Sequence, residues 1–99
     1  MPLIIGGDHT VALGSIRAIS SKLGKRNFSV VHFDAHADNY KEYMGSKYSH
    51  ACVMARAREL CDKCYSIGVR SLDEATAKSV KEQIMYRKDM RDVTIKAIA

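Results

Sequence analysis

Leu3-Ile4-Ile5 is a short apolar run halted by Gly6-Gly7, the pattern of a buried strand running into a tight turn. From Thr10 the period changes. Ala12, Ile16, Ile19 and Leu23 recur at i, i+4, i+7 and i+11, one stripe of a helix, and Gly24 stands where such a helix would stop. Phe28 to Phe33 is β-branched and aromatic and predicts a second strand. Residues 34–49 hold polar groups, Gly45 and Tyr40, Tyr43 and Tyr48 without a sustained period, which predicts a long loop. Val53, Met54, Ala57, Leu60 and Cys61 form another helical stripe, opposite Arg56, Arg58, Glu59 and Lys63. Tyr65 to Val69 predicts a third strand. Ser71 and Glu74 have capping-box spacing and predict the start of a third helix there. Ile84-Met85-Tyr86 fits a short fourth strand, and residues 88–98 fit a helix.

Strands alternating with helices predict an α/β fold with a parallel sheet. In such sheets ligands gather beyond the carboxyl ends of the strands. Two polar clusters, Gly6–His9 and Asp34–Asp38, fall at predicted strand ends, so topology and chemistry point to one sheet edge.

Composition narrows the class. The chain has 99 residues, 46% apolar and 27% charged with one proline, the profile of a single small domain or a piece of a larger one. No apolar run approaches the roughly 18 residues of a membrane span. Met1 to Gly6 lacks the basic and long apolar regions of a signal peptide, so the expected location is cytoplasmic. Three cysteines (Cys52, Cys61, Cys64) are too few for a disulfide scaffold and agree with a reducing compartment. The net charge of +5 is spread over both halves, with 6 basic and 4 acidic groups in residues 1–50 and 10 and 7 in residues 51–99. No run of like charge marks a nucleic-acid arm, so neither nucleic acid nor membrane is an expected partner. Histidine is less even: His9, His32, His36 and His50 all lie in the first half, near Asp8, Asp34 and Asp38.

Asp34-Ala35-His36-Ala37-Asp38 alternates ligand and alanine as it leaves a strand. On an extended backbone, side chains at i, i+2 and i+4 project to one side, so three ligands are expected to face one place. Carboxylate with imidazole suits Mn²⁺, Fe²⁺ or Zn²⁺, and oxygen-rich sets lean toward manganese. His9 could supply a fourth ligand, and Gly6-Gly7 would let the backbone approach a ligand closely. A carboxylate such as Asp34 can bridge two ions, and ions about 3.5–4 Å apart can activate water between them. The competing reading is a set of strand-end groups that cap turns and bind water.

Ile5-Gly6-Gly7-Asp8-His9-Thr10 and Phe33-Asp34-Ala35-His36-Ala37-Asp38 together resemble the first two signature motifs of the ureohydrolase family, the arginases and agmatinases. Tyr48-Ser49-His50 and Ile67 to Ser71 resemble the stretches that follow, in the agmatinase manner. The resemblance runs over nearly the whole chain. It implies a three-layer α/β/α fold, a dinuclear manganese centre, hydrolysis of a guanidino substrate to urea and an amine, and homo-oligomers. Agmatine is the expected substrate, with arginine and guanidinobutyrate as alternatives. By position, the resemblance implies that His9 and Asp38 bind one manganese and His36 the other, with Asp34 bridging. It places Asp8 behind the ligands, orienting them, and His50 near the substrate, in substrate contact or proton transfer. The loop Tyr40–Tyr48 either lies over the mouth of the site or is an exposed aromatic patch.

The family's third motif, Ser-x-Asp-x-Asp, is absent from these residues. The acidic groups after residue 70 (Asp73, Glu74, Glu82, Asp89, Asp92) lie in predicted helical stretches without that spacing. The expectation is an interior slice of a ureohydrolase domain over residues 1–99, truncated to three or four strands. Such a chain would hold metal weakly, turn over little, and associate or be marginally stable. The alternative function is a non-catalytic ureohydrolase-like fragment that binds or assembles with a partner. A zinc site from His50, Cys52, Cys61 and Cys64 is disfavoured, because Cys52 and Cys61, nine residues apart, would sit about 900° around one helix and face opposite sides. Cys61-Asp62-Lys63-Cys64 would close a helix rather than open one, which disfavours a reactive thiol. A phosphate loop at Gly6-Gly7 lacks the following Gly-Lys-Ser/Thr, and the Asp8 carboxylate would repel a phosphate.

Overall fold

The computed structural model describes residues 1–80 and 83–86. Three helices and three strands follow one another as α1 (Val11–Leu23), β1 (Val30–Phe33), a 3₁₀ turn (His50–Cys52) leading into α2 (Val53–Leu60), β2 (Cys64–Val69), α3 (Glu74–Ser79) and β3 (Ile84–Tyr86). The strands form one parallel sheet in the order β1-β2-β3. This is the expected parallel α/β fold. The helix expected over residues 88–98 lies outside the described residues, as do Glu82, Asp89 and Asp92.

The register pairs Val30 with Cys64 and His32 with Ser66. Because side chains alternate across a strand, Val30 and His32 share one face of β1, while Val31 and Phe33 take the other. Helix α2 supplies Met54 and Ala57 to a core that includes Cys61 and Cys64, against which Ile16, Phe28 and Val30 pack. A second cluster of Ala37, Val69 and Ile84 is joined by Leu72, Val80 and Tyr86. Gly68, at φ +90°, sits where the β2–β3 register shifts between Ile67 and Val69, a conformation that only glycine adopts cheaply.

Helix α1 ends as its sequence predicts. Gly24 takes φ +84° and returns its N–H to Ser20 O at 2.9 Å. Its apolar stripe is only half used. Leu13 is buried and Ile16 reaches the core, but Ile19 and Leu23 stay largely exposed, because α1 packs on α2 rather than on the sheet. The Ser20 hydroxyl donates to Leu60 O at 2.6 Å and fastens the two helices.

Leu3-Ile4-Ile5 and the cap of α3 differ from the sequence expectation. Leu3-Ile4-Ile5 is not a strand: it pairs with no described strand, and all three side chains are exposed. An apolar run becomes a buried strand only where neighbours cover it, and here none do. The cap of α3 is Asp73 rather than Ser71. Asp73 accepts a hydrogen bond from the Thr76 N–H at 3.2 Å and another from the Thr76 hydroxyl. Asp two residues after Ser moved the helix start to Glu74, since an Asp carboxylate reaches the N3 amide as well as a serine does.

The cysteines flank α2 as buried free thiols, with Cys52 before it, Cys61 at its end and Cys64 opening β2. Burial, reinforced by the neighbouring Cys61 sulfur, pushes the Cys64 thiol up to about 12, so it stays protonated and unreactive. Arg58 crosses beneath, donating to Asn39 Oδ1 at 3.0 Å and Cys64 O at 2.8 Å, with Gln83 as a third partner.

Candidate metal centre

Asp34 to Asp38 leaves the carboxyl end of β1, and Ser71 to Asp73 leaves the carboxyl end of β2. The two stretches run side by side, with His36 bridging to Ser71 and Ala37 N–H donating to Ser71 O at 3.3 Å. His9 arrives from the turn before α1, where Asp8 Oδ1 accepts from the Thr10 N–H at 2.9 Å. That hydrogen bond holds the Asp8 carboxyl below its ordinary range, with smaller help from the charges of His50 and His9. Asp8 thus shapes the turn that delivers His9.

The result is a convergence of donors. His9, His32, Asp34 and Asp38 each offer a ligand atom, and these atoms lie within 4.8 Å of one another. His9 Nδ1 stands 2.7 Å from Asp38 Oδ2. One proton joins two metal-capable atoms there, and its loss would leave two lone pairs aimed at one point. Asp38 reaches this position from φ +47°, a left-handed backbone that Asp tolerates better than most residues. Its carbonyl accepts from the Met54 N–H at 2.9 Å, so α2 holds the strained turn in place.

Asp34 stands between two histidines. Its Oδ2 is 3.3 Å from His32 Nε2, and its Oδ1 is 3.2 Å from His36 Nδ1. Oδ1 also accepts from the His36 N–H at 2.8 Å. Burial pushes the Asp34 carboxyl up, but the His36 N–H and the histidine charges outweigh it and leave it below its ordinary range. Asp34 is therefore a carboxylate at neutral pH, with each oxygen facing a different imidazole.

The backbone differs from the extended run expected. The Asp34 side chain bends the chain onto the His36 N–H, and Asp38 turns left-handed, so the three ligand groups do not face one place. Asp34 and Asp38 join His9, whereas His36 is 65% exposed and lies on the outer oxygen of Asp34. A Cβ on Gly6 would come within 2.6 Å of Val11 Cγ2, while Gly7 has open space around it.

His32 was not among the sequence's candidate ligands. It is 8% exposed, its ring stacks on His9 with centroids 4.9 Å apart, and burial holds its imidazole below the ordinary range, in the neutral form. The signal was present in the sequence: His32 and Asp34 continue the i, i+2 alternation back into the strand.

Next to this cluster opens a cavity of about 390 Å³, lined in part by His36, Asp38, Tyr40, Tyr43, His50 and Asp73. That size suits a small ligand. His50 stands on its wall rather than among the clustered donors, edge-on to Tyr43 with ring centroids 5.9 Å apart. Tyr40 and Tyr43 face the same cavity, and Tyr48 stands apart from it, largely exposed. In a chain of net charge +5, the carboxylates of Asp38 and Asp73 make this a locally acidic recess.

The Arginase family model matches residues 1–99. The mitochondrial arginase of Medicago truncatula is 36% identical over 95 residues, which cover 94% of this chain and 28% of that protein. Its solved structure superposes with a TM-score of 0.75 over 92% of this chain and 30% of that one. A guanidinobutyrase of Pseudomonas aeruginosa is 43% identical over 75 residues, covering 72% of this chain and 23% of that protein. The agmatine ureohydrolase of Thermoplasma volcanium is 36% identical with a TM-score of 0.67, over 82% of this chain and 27% of that one. The chain thus spans less than a third of the length of each of these relatives. The parallel strand order and the family match over residues 1–99 give one conclusion: the chain belongs to the arginase family.

Proposed function

We propose that residues 1–99 carry one side of a dinuclear manganese site that hydrolyses a guanidino compound, agmatine foremost, to urea and an amine. The observation that carries this reading is the convergence of His9, Asp34 and Asp38 at the carboxyl edge of a parallel sheet, beside an acidic cavity. The donor set of imidazole and carboxylate fits manganese. His9 and Asp38 would hold one ion, His36 the other, and Asp34, with an oxygen turned to each side, would stand between them. Bound divalent metal supplies activation of water at neutral pH and stabilisation of charge developing on the substrate.

The chain's own residues do the rest. With Asp38 given to the metal, Asp73 supplies the cavity with negative charge that suits a guanidinium or a protonated amine, and the rings of Tyr40 and Tyr43 on its wall suit a cation and an alkyl chain. In the reaction, water adds to the guanidinium carbon, the bond to the alkyl nitrogen breaks, and that nitrogen leaves with a proton. His50, on the cavity wall, is the group placed to contact substrate or carry that proton. Agmatine is preferred over arginine and guanidinobutyrate because Tyr48-Ser49-His50 and Ile67 to Ser71 follow the agmatinase manner.

The test is urea release from agmatine, arginine and 4-guanidinobutyrate by the purified chain in excess Mn²⁺, with Asp34→Ala as control. The expected result is slow release, fastest from agmatine and lost in Asp34→Ala. Preference for arginine would overturn the substrate assignment. Equal release from Asp34→Ala would overturn the site. A folded chain that binds Mn²⁺ but releases no urea would favour the second reading, a non-catalytic family member acting as an assembly partner. Slow turnover is expected because the chain lacks a Ser-x-Asp-x-Asp segment and its aspartate ligands.

A further inference from the structure

His32 has no role in the reading above, yet it is buried and touches both Asp34 and His9. Its place is fixed from three sides. The β1–β2 register sets it opposite Ser66, and its Nδ1 lies 3.1 Å from the Ser66 hydroxyl, which is itself fully buried. Its ring lies almost parallel to that of His9, 11° from coplanar orientation. Its Nε2 is buried and lies 3.3 Å from Asp34 Oδ2, an ion-pair distance whose angle falls short of a well-formed hydrogen bond. A buried ring nitrogen is costly unless a polar group faces it, and Asp34 is the group that faces it here.

We infer that Ser66 and His32 form a positioning pair for the metal-binding face, a role that rests on the metal reading above. The Ser66 hydroxyl donates to His32 Nδ1, which makes Nδ1 the acceptor and leaves the proton on Nε2. That Nε2–H is aimed at Asp34 Oδ2 and fixes which way the carboxylate turns, while Oδ1 stays on the His36 side. The stacked ring holds the plane of His9 for its meeting with Asp38. His32 acts through Asp34 and His9. It is a positioning residue, of the kind whose loss weakens metal binding rather than abolishing it.

Two measurements on the full chain test this. The first is the imidazole tautomer of His32 in the metal-free protein, read from long-range ¹H–¹⁵N NMR spectra. The expected form is Nε2–H with an unprotonated Nδ1, shifting toward a mixture in Ser66→Ala. An Nδ1–H tautomer in the unaltered chain would overturn the pair whether or not metal binds. The second is Mn²⁺ affinity by electron paramagnetic resonance, set beside thermal stability. The variant His32→Leu/Ser66→Ala removes both buried polar partners together, a change that is close to neutral for folding. It should melt at or above the unaltered temperature yet bind Mn²⁺ about 10–100-fold more weakly. His32→Gln, which keeps an N–H near the Nε2 position, should recover most of the affinity. A folded double variant with unchanged affinity would overturn the inference. Absence of Mn²⁺ binding by the unaltered chain would instead overturn the metal reading and the positioning role with it, leaving the tautomer to report the Ser66–His32 contact alone.

Discussion

At Asp38 one residue serves both the backbone and the site. Its φ of +47° costs most side chains about 1–2 kcal/mol, whereas Asp, Asn and Gly accept it more easily. Its carboxylate meanwhile meets His9 at 2.7 Å. Substitution should separate the two demands. Asp38→Asn and Asp38→Gly should stay close to the parent in a denaturant melt, and Asp38→Ala should fall about 1 kcal/mol below them. All three should lose Mn²⁺ affinity. A melt in which Asp38→Gly is no more stable than Asp38→Ala would contradict a backbone role. The sequence marks Asp38 as a candidate ligand through its spacing from Asp34 and His36. It could not announce the left-handed turn, because that conformation depends on Met54 N–H arriving from α2 to take the Asp38 carbonyl. His36 turns outward for a related reason: spacing implies an extended backbone, and the Asp34 side chain bends it onto the His36 N–H.

Among the elements, the helices and the second and third predicted strands were legible because each carries its own period and stop signal. The failures came where a local pattern depends on a partner. Leu3-Ile4-Ile5 has the composition of a strand and no described neighbour to pair with. Helix α3 has two candidate caps, and only the structure distinguishes them. Asp73→Ala should cost about 0.5–2 kcal/mol, measured by chemical denaturation, while Ser71→Ala should cost almost nothing. The reverse order would restore the capping box at Ser71. Strand β2 contributes a pH effect through Cys64. Its thiol ionises near 9 when unfolded and near 12 when folded. A raised native value means that the stabilisation is complete below pH 9 and drains away as pH rises toward 12, since only the unfolded chain sheds the proton easily. Melting temperatures of Cys64→Ala should therefore fall less steeply than those of the parent across pH 9–11. Parallel curves would show that this thiol is not buried. Alkylation by iodoacetamide at pH 8 should likewise wait for unfolding.

Over the whole molecule, the sheet is covered unevenly. Phe33 is 74% exposed and Val31 40% on the face of β1 away from Val30 and His32. Leu3, Ile4 and Ile5 add further bare apolar surface, and no described strand pairs the outer edge of β1. Exposed apolar surface beside an unpaired edge invites association. Sedimentation velocity should show the average mass rising with concentration, and Phe33→Ser should reduce that rise. A single species across a hundredfold concentration range would contradict this. Sequence periodicity could predict the strand but not which face would lie bare, because coverage is decided by distant parts of the chain. Mixed charge across a basic chain likewise conceals the local acidity of the cavity, which appears only when Asp38 and Asp73 are brought together from separate loops.

The loop after β1 and the turn before α1 are proposed to make one metal site. Its most direct test is a Mn²⁺ titration of the full chain, following loss of the free-ion resonance signal, beside Asp34→Ala. Saturable binding by the unaltered chain is expected, with an affinity at least about 10-fold weaker once Asp34 is removed. Superimposable titrations for the two proteins would contradict it, and would return these residues to strand-end groups that cap turns and bind water.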